Sequence, residues 1–211
     1  MSSAIILLSG GLDSFVSTAV ARKRHKIILA LTFDYGQRAA GREISAAGKM
    51  CGRWNIPHKV IRLPWLGSIT HTALVNRKKH LPASSSSSAK AVWVPNRNAL
   101  FINIAASFAE SLGAGLIVTG FNKEEGATFP DNSAGFVRAV NGSLRTSTLV
   151  RPRVASFVQT MTKNDMVRYA ICHGLPLDGC WPCYKGGKRL CGRCESCARF
   201  FAALKNNRLT L

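Results

Sequence analysis

The sequence predicts an α/β fold, an open parallel sheet with helices packed on both faces. Three observations predict it. Short apolar runs alternate with stretches whose apolar residues recur at helical spacing, and the first run passes through a glycine turn straight into a helix. Hydrophobic residues make up 46% of the 211, ample core for a chain that buries about 70% of its unfolded surface. At roughly 150 residues per domain this length suits one domain with an appendage.

Taken in order, residues 4 to 8 are a buried strand, Ser9-Gly10-Gly11 is the turn, and Phe15, Val16, Ala19 and Val20 stripe a helix. Residues 27 to 33 form a second strand. The polar Asp34-Tyr35-Gly36-Gln37-Arg38 follows, then a helix marked by Ile44, Ala47, Met50, Cys51 and Trp54, and a third strand over 59 to 63. The stretch from 64 to 95 breaks this rhythm; its five serines, 84 to 88, have neither apolar residues nor periodicity and predict a mobile insertion or lid. Leu100, Phe101, Ile104, Ala105, Phe108 and Leu112 then mark a helix ending at Gly113, and 116 to 119 is a further buried strand. Phe136, Val137, Val140 and Leu144 predict one more helix and 164 to 173 another, ahead of a cysteine-rich end.

Composition excludes a disordered, collagen-like or membrane-spanning chain, since no apolar run nears the roughly 20 residues a spanning helix needs. Residues 4 to 8 are too short for a leader and follow no basic segment. Twenty-nine Lys and Arg against ten Asp and Glu give +19, with a pI near 10.4; acids are scarce rather than bases abundant. Bases cluster at 22 to 26, 77 to 79 and from Lys185 to Arg208. Such a field attracts polyanions, nucleic acid or nucleotide alike; a merely solvated cationic surface is the alternative. Five of the seven cysteines fall between 180 and 197, a metal-thiolate spacing that points to a reducing, cytoplasmic setting.

The turn Ser9-Gly10-Gly11-Leu12-Asp13-Ser14 aims backbone N–H groups and a positive helix end at whatever binds there, and phosphate is the natural occupant. It is neither a P-loop nor a dinucleotide fingerprint. A tight turn capped by Ser9 or Asp13 would explain part of the pattern. The motif resembles the PP-loop of the ATP pyrophosphatases, which are adenine nucleotide alpha hydrolase-like in fold. The ordered set of residues 32–38 (TFDYGQR), 94–101 (VPNRNALF), Thr119-Gly120, Phe129-Pro130-Asp131 and the terminal cysteines resembles the 7-cyano-7-deazaguanine synthase family over essentially the whole chain. That resemblance implies that ATP, with Mg²⁺, is held by Leu8, Ser9, Gly10, Gly11, Leu12, Asp13, Ser14, Phe15, Val16, Ser17 and Thr18. It divides the chain into a nucleotide-binding unit, 1–160, carrying the 64–95 insertion, and a helical zinc-binding segment, 161–211.

Cys183, Cys191, Cys194 and Cys197 would satisfy tetrahedral Zn²⁺ with no open position, so a structural metal is expected. Spacing alone leaves a rival quartet of Cys180, Cys183, Cys191 and Cys194, and an iron–sulfur cluster uses the same ligands. Resemblance to the synthases selects the set ending at Cys197. Cys180 is then a spare thiol, and Cys51 and Cys172 are expected in the core.

The family commonly carries His where Ala39 stands and Ser-Gly-Tyr-Pro-Asp-Cys where residues 127 to 132 read Ala-Thr-Phe-Pro-Asp-Asn. Substrate contacts are assigned to Arg38, Arg97, Asn98, Glu125 and Asp131. Arg97 and Asn98 begin a helix and suit an anion, or else a local cap; Glu124 and Glu125 suit Mg²⁺ or guanine-like N–H donors, or else are ordinary solvated acids. The resemblance implies ATP-dependent conversion of 7-carboxy-7-deazaguanine and ammonia to the nitrile, preQ0, in queuosine biosynthesis. Rival readings are a PP-loop enzyme acting on tRNA, for instance by thiolation, a zinc-ribbon nucleic-acid module without catalysis, and a relative attaching a deazaguanine to a macromolecule. A homodimer and a nucleic-acid contact are admitted; a membrane is not.

Overall fold

The computed structural model describes residues 2–83 and 89–209; the serines 84 to 88, expected to be a mobile insertion, lie outside the described residues. Strands β1 (Ser3–Leu7), β2 (Lys26–Asp34), β3 (His58–Arg62), β4 (Leu116–Thr119) and β5 (Arg153–Ser156) form one sheet in the order β3-β2-β1-β4-β5. Every neighbouring pair is parallel. The helices are α1 (Leu12–Ala21), α2 (Ala40–Trp54), α3 (Pro64–Ser68), α4 (Ala89–Val92), α5 (Arg97–Leu112), α6 (Lys123–Thr128), α7 (Ala134–Ser147), α8 (Lys163–Cys172) and α9 (Glu195–Asn206), with a 3-10 turn at Pro130–Asn132.

The pleat explains why β1 reads as an unbroken apolar run. Ala4, Ile6 and Leu8 enter one apolar cluster with Phe15, Ala47, Met166 and Phe200, while Ile5 enters the other with Leu31, Ile102, Ala105 and Leu144. Both faces are thereby covered, α1, α2, α8 and α9 on one side, α5 and α7 on the other. Phe200, Ala203 and Leu204 of α9 join the cluster of β1 and α1, so the C-terminal segment shares its core with the sheet. No helix among the described residues is long and apolar enough to cross a membrane.

Two features depart from the sequence reading. The flanks of the 64–95 insertion are packed rather than loose: Leu66, Leu74, Val92 and Val94 are buried in the cluster around Ile5 and Ile102. Cys172, expected in the core, is exposed, whereas Cys51 is buried. The reason is angular, because Cys172 lies two positions beyond the buried Ala170 and so points about 200° away from it.

The strand order reverses at β1, which has β2 on one side and β4 on the other. The crevice beyond the carboxyl ends of β1 and β4 is therefore the topological switch point, where open α/β sheets bind ligands.

Candidate functional site

Gly10 and Gly11 place the start of α1 at that crevice. Gly10 has φ +78°, and an added Cβ would lie 2.5 Å from the Glu43 carbonyl oxygen, so both conformation and space require glycine. Gly11 is the N-cap of α1, and no side chain caps it. The caps expected from Ser9 or Asp13 do not form. Instead the Ser14 hydroxyl accepts from the Ser9 N–H and donates to the Gly11 carbonyl, each at 3.2 Å, which folds the turn on itself. From across the switch point, Gly120 abuts this turn: a Cβ there would lie 2.6 Å from the Ser14 nitrogen.

The turn opens into a cavity of about 270 Å³. Of residues 8 to 18, Leu8, Ser9, Gly11, Leu12, Asp13 and Ser14 line it. Gly10 sits behind the wall, as do Phe15 and Val16, which are core. Ser17 donates to the Thr119 carbonyl and Thr18 to the Ser14 carbonyl, each at 2.6 Å, so these hydroxyls hold the turn rather than face the cavity. Thr119 Oγ1, by contrast, is buried without a hydrogen-bond partner on the cavity wall, a donor that a bound ligand would satisfy.

Arg97, Asn98, Glu125 and Asp131 are brought together on the same cavity. Arg97 donates to the Tyr35 hydroxyl at 3.1 Å and stands in no ion pair among the described residues, which leaves its guanidinium as a fixed cation facing Asp131 and Glu125. Asn98 donates to the Asp131 carbonyl at 3.3 Å. Arg38 does not reach the cavity. Its guanidinium donates to the Asn76 and Lys79 carbonyls and its N–H to Leu74, so it pins the insertion.

The centre of the site is Lys163, absent from the sequence reading. Its ammonium donates to both Asp13 carboxylate oxygens at 2.7 and 2.5 Å and lies 3.4 Å from Glu125. Burial alone would lower its pKa; Asp13 and Glu125 outweigh burial and keep it charged. A signal for it did exist: Lys163 opens α8 behind a Thr162–Asp165 capping box, and a cation at a helix N-terminus runs against the helix dipole unless carboxylates hold it. Glu43 was also missed. It lines the cavity beside Gln37, whose amide donates to it at 2.8 Å, and burial pushes its pKa up to about 7.

The cysteine end supplies another wall. The sulfurs of Cys183, Cys191, Cys194 and Cys197 lie within 4.8 Å of one another, while Cys180 packs in the apolar cluster with Phe15 and Phe200; the rival quartet is not assembled. A tetrahedron with metal–sulfur bonds of about 2.3 Å has edges of roughly 3.8 Å, so this set fits a single tetrahedral ion. Backbone N–H groups of Lys185 and Cys194 point at Cys183 Sγ and Cys191 Sγ at 3.3 and 3.4 Å, as thiolate ligands require. The same segment docks on the site: the Trp181 N–H donates to the Gly10 carbonyl at 2.8 Å and the Glu195 N–H to Pro82 at 3.0 Å. Trp181, Tyr184, Ser196 and Arg199 line the cavity.

The chain is similar to known proteins along nearly its whole length. The profile of the queuosine biosynthesis protein QueC matches residues 3–208. The 7-cyano-7-deazaguanine synthase of Pelotomaculum thermopropionicum is 51% identical over 217 residues, covering 98% of either chain. Among solved structures, the U34-tRNA thiolase NcsA from Methanococcus maripaludis with its 4Fe-4S cluster is 16% identical, with a TM-score of 0.54 over 82% of this chain and 57% of that one. NMN synthetase from Francisella tularensis is 14% identical, with a TM-score of 0.54 over 100% of this chain and 78% of that one. These two likenesses are of fold. With the profile running almost end to end and half of all positions shared with a full-length relative, the chain belongs to the QueC family of queuosine biosynthesis proteins.

Proposed function

We propose that the chain is an ATP-dependent carbon–nitrogen ligase that makes 7-cyano-7-deazaguanine from 7-carboxy-7-deazaguanine and ammonia. The observation that carries this is one cavity joining the uncapped start of α1 to Arg97, a cation in no ion pair among the described residues. The first suits a triphosphate and the second a carboxylate. Relatives named for this activity support it.

A carboxylate resists ammonia because it is negatively charged and its oxygen does not leave. Attack of the carboxylate on the α-phosphorus of ATP forms a mixed anhydride with AMP and releases pyrophosphate. Ammonia adds to the acyl carbon, AMP departs with the former carboxylate oxygen, and a lost proton leaves the amide. A second ATP activates the amide oxygen in the same way, releasing pyrophosphate, and loss of AMP together with both amide protons gives the nitrile. No nucleophilic side chain is needed; the protein positions the reactants and neutralises charge. In our reading the backbone N–H groups at Gly11 to Ser14, the Ser9 hydroxyl and Lys163 hold the phosphates, with Mg²⁺ entering as the counterion of ATP. Arg97 holds the reacting carboxylate, and Glu125, Asp131 and Asn98 meet the guanine-like edge. Zn²⁺ on Cys183, Cys191, Cys194 and Cys197 supplies a fixed wall. We assign the packed flanks of the insertion, whose Leu74, Val92, Trp93 and Val94 line the cavity, the role of a cover over the site.

Sulfur transfer to tRNA has less support. Cys180, the spare thiol such chemistry would recruit, is 4% exposed, and burial together with Asp13 pushes its pKa up, against thiolate formation. The test is mass spectrometry of the zinc-loaded protein incubated with ATP, Mg²⁺, ammonium and the carboxy compound. Nitrile, AMP and pyrophosphate are expected. Zinc-replete protein that leaves the carboxy compound unchanged overturns the proposal.

A further inference from the structure

Two basic segments far apart in sequence meet on one face, and none of their cations lines the cavity or has a part in the proposed reaction. The turn at 77 to 79 contributes Arg77, Lys78 and Lys79; the cysteine loop contributes Lys185, Lys188, Arg189 and Arg193; all seven are exposed. Arg38 joins them. Its side chain holds the Asn76 and Lys79 carbonyls, and Gly186 is pressed against its backbone carbonyl so closely that a Cβ would not fit. The Glu195–Pro82 backbone bond ties the far ends of the same segments together. Arg77 lies near enough to disfavour the charge on Arg38.

Neither segment brings an acid to this face. Residues 69 to 83 and 179 to 194 contain no Asp or Glu. None of the seven cations stands in an ion pair or over an aromatic ring among the described residues. The other compact basic run, 22 to 26, is different: Arg22 lies 4.7 Å from the Trp54 ring centroid and Lys23 5.1 Å from that of Tyr169. Even with the two net negative charges of a four-thiolate zinc site beneath the loop, the face stays positive. Like charges held together by backbone clamps repel one another, and a polyanion relieves that repulsion while releasing its own counterions.

We propose that the face made by residues 77–79 and 185–193 binds the phosphate backbone of nucleic acid. Several cations on two separate loops, with no acid among them, suit a chain of regularly spaced phosphates better than one small anion, which two or three of them would satisfy.

Fluorescence anisotropy of the zinc-loaded protein with a labelled RNA hairpin, and with a DNA duplex of equal length, tests this across about 50 to about 200 mM salt. Arg77→Gln/Lys78→Gln/Lys79→Gln and Lys188→Gln/Arg189→Gln/Arg193→Gln are each expected to weaken binding. Each is also expected to make the slope of log K against log salt shallower by nearly 3 on the duplex, at about 0.9 per lost phosphate contact. Arg22→Gln/Lys23→Gln/Arg24→Gln, which removes equal charge elsewhere, should leave the slope within about one of wild type. Unchanged melting temperature and zinc content verify folding, and either of the two face variants suffices. Equal losses in all three variants, or no binding of either nucleic acid at the lowest salt, overturn the proposal.

Discussion

Glu43 shows how one half-buried carboxylate on the cavity wall makes stability depend on pH. Burial raises its pKa from 4.5 to about 7, against the opposing pull of the Gln37 amide and of Arg97. Between those values the folded chain holds a proton that the unfolded chain has released, so this group's contribution to stability falls as pH rises through the window and levels off above it. Glu43→Gln keeps the shape and cannot ionise. Its melting temperature relative to wild type is expected to rise between about pH 5 and about pH 8; parallel curves would show that Glu43 titrates normally. Not every such residue was legible in the sequence. Arg97 stood out as a cation opening a helix beside the insertion and Asp131 as part of the motif shared with the family, but Glu43 reads there as an ordinary helix-surface acid, because only the tertiary fold turns that side of α2 toward the cavity.

At the scale of elements, the site depends on two turns that approach each other, one after β1 and one after β4. Gly120 makes the approach possible, since a methyl group there would lie 2.6 Å from the Ser14 nitrogen and push the start of α1 aside. Gly120→Ala is expected to cost about 1–3 kcal/mol, a loss of roughly 2–4 °C in Tm per kcal/mol, and to weaken ATP binding at least about tenfold by calorimetry. Gly142→Ala is the control. Gly142 lies within α7 with open space around it, so alanine there should stabilise by roughly 0.5–1 kcal/mol and leave ATP affinity alone. ATP affinity equal in the two variants would separate Gly120 from the nucleotide site. Elements with strong apolar signals were legible: β1, β2, β4, α1, α2 and α5 stand where the periodicity puts them. β5 was not, because Arg153-Val154-Ala155-Ser156 is an edge strand with one well-buried residue and hence no apolar run.

At the scale of the whole molecule, the cysteine knuckle links distant parts of the chain. It bonds to Gly10 in the turn and to Pro82 in the insertion, and it presents Trp181 and Tyr184 to the cavity. Removing the metal with a chelator is expected to speed hydrogen exchange at the Trp181 and Glu195 amides and to lower ATP affinity together with Tm. Metal-free protein that binds ATP as before would confine the metal to local folding. By itself the sequence determined the strand–turn–helix order, the glycine turn, the choice of thiols once the family resemblance was added, and a surplus of positive charge. Those are local properties, set by periodicity, backbone freedom and ligand type within short stretches of chain. Only the tertiary structure decided that Lys163 meets Asp13 across 150 residues, that Arg38 braces the insertion, that Cys180 is packed away from the four clustered thiols, and that two basic loops share a face. Each of these is a contact between segments remote in sequence, and the packing of helices against a parallel sheet sets such distances where no local pattern does.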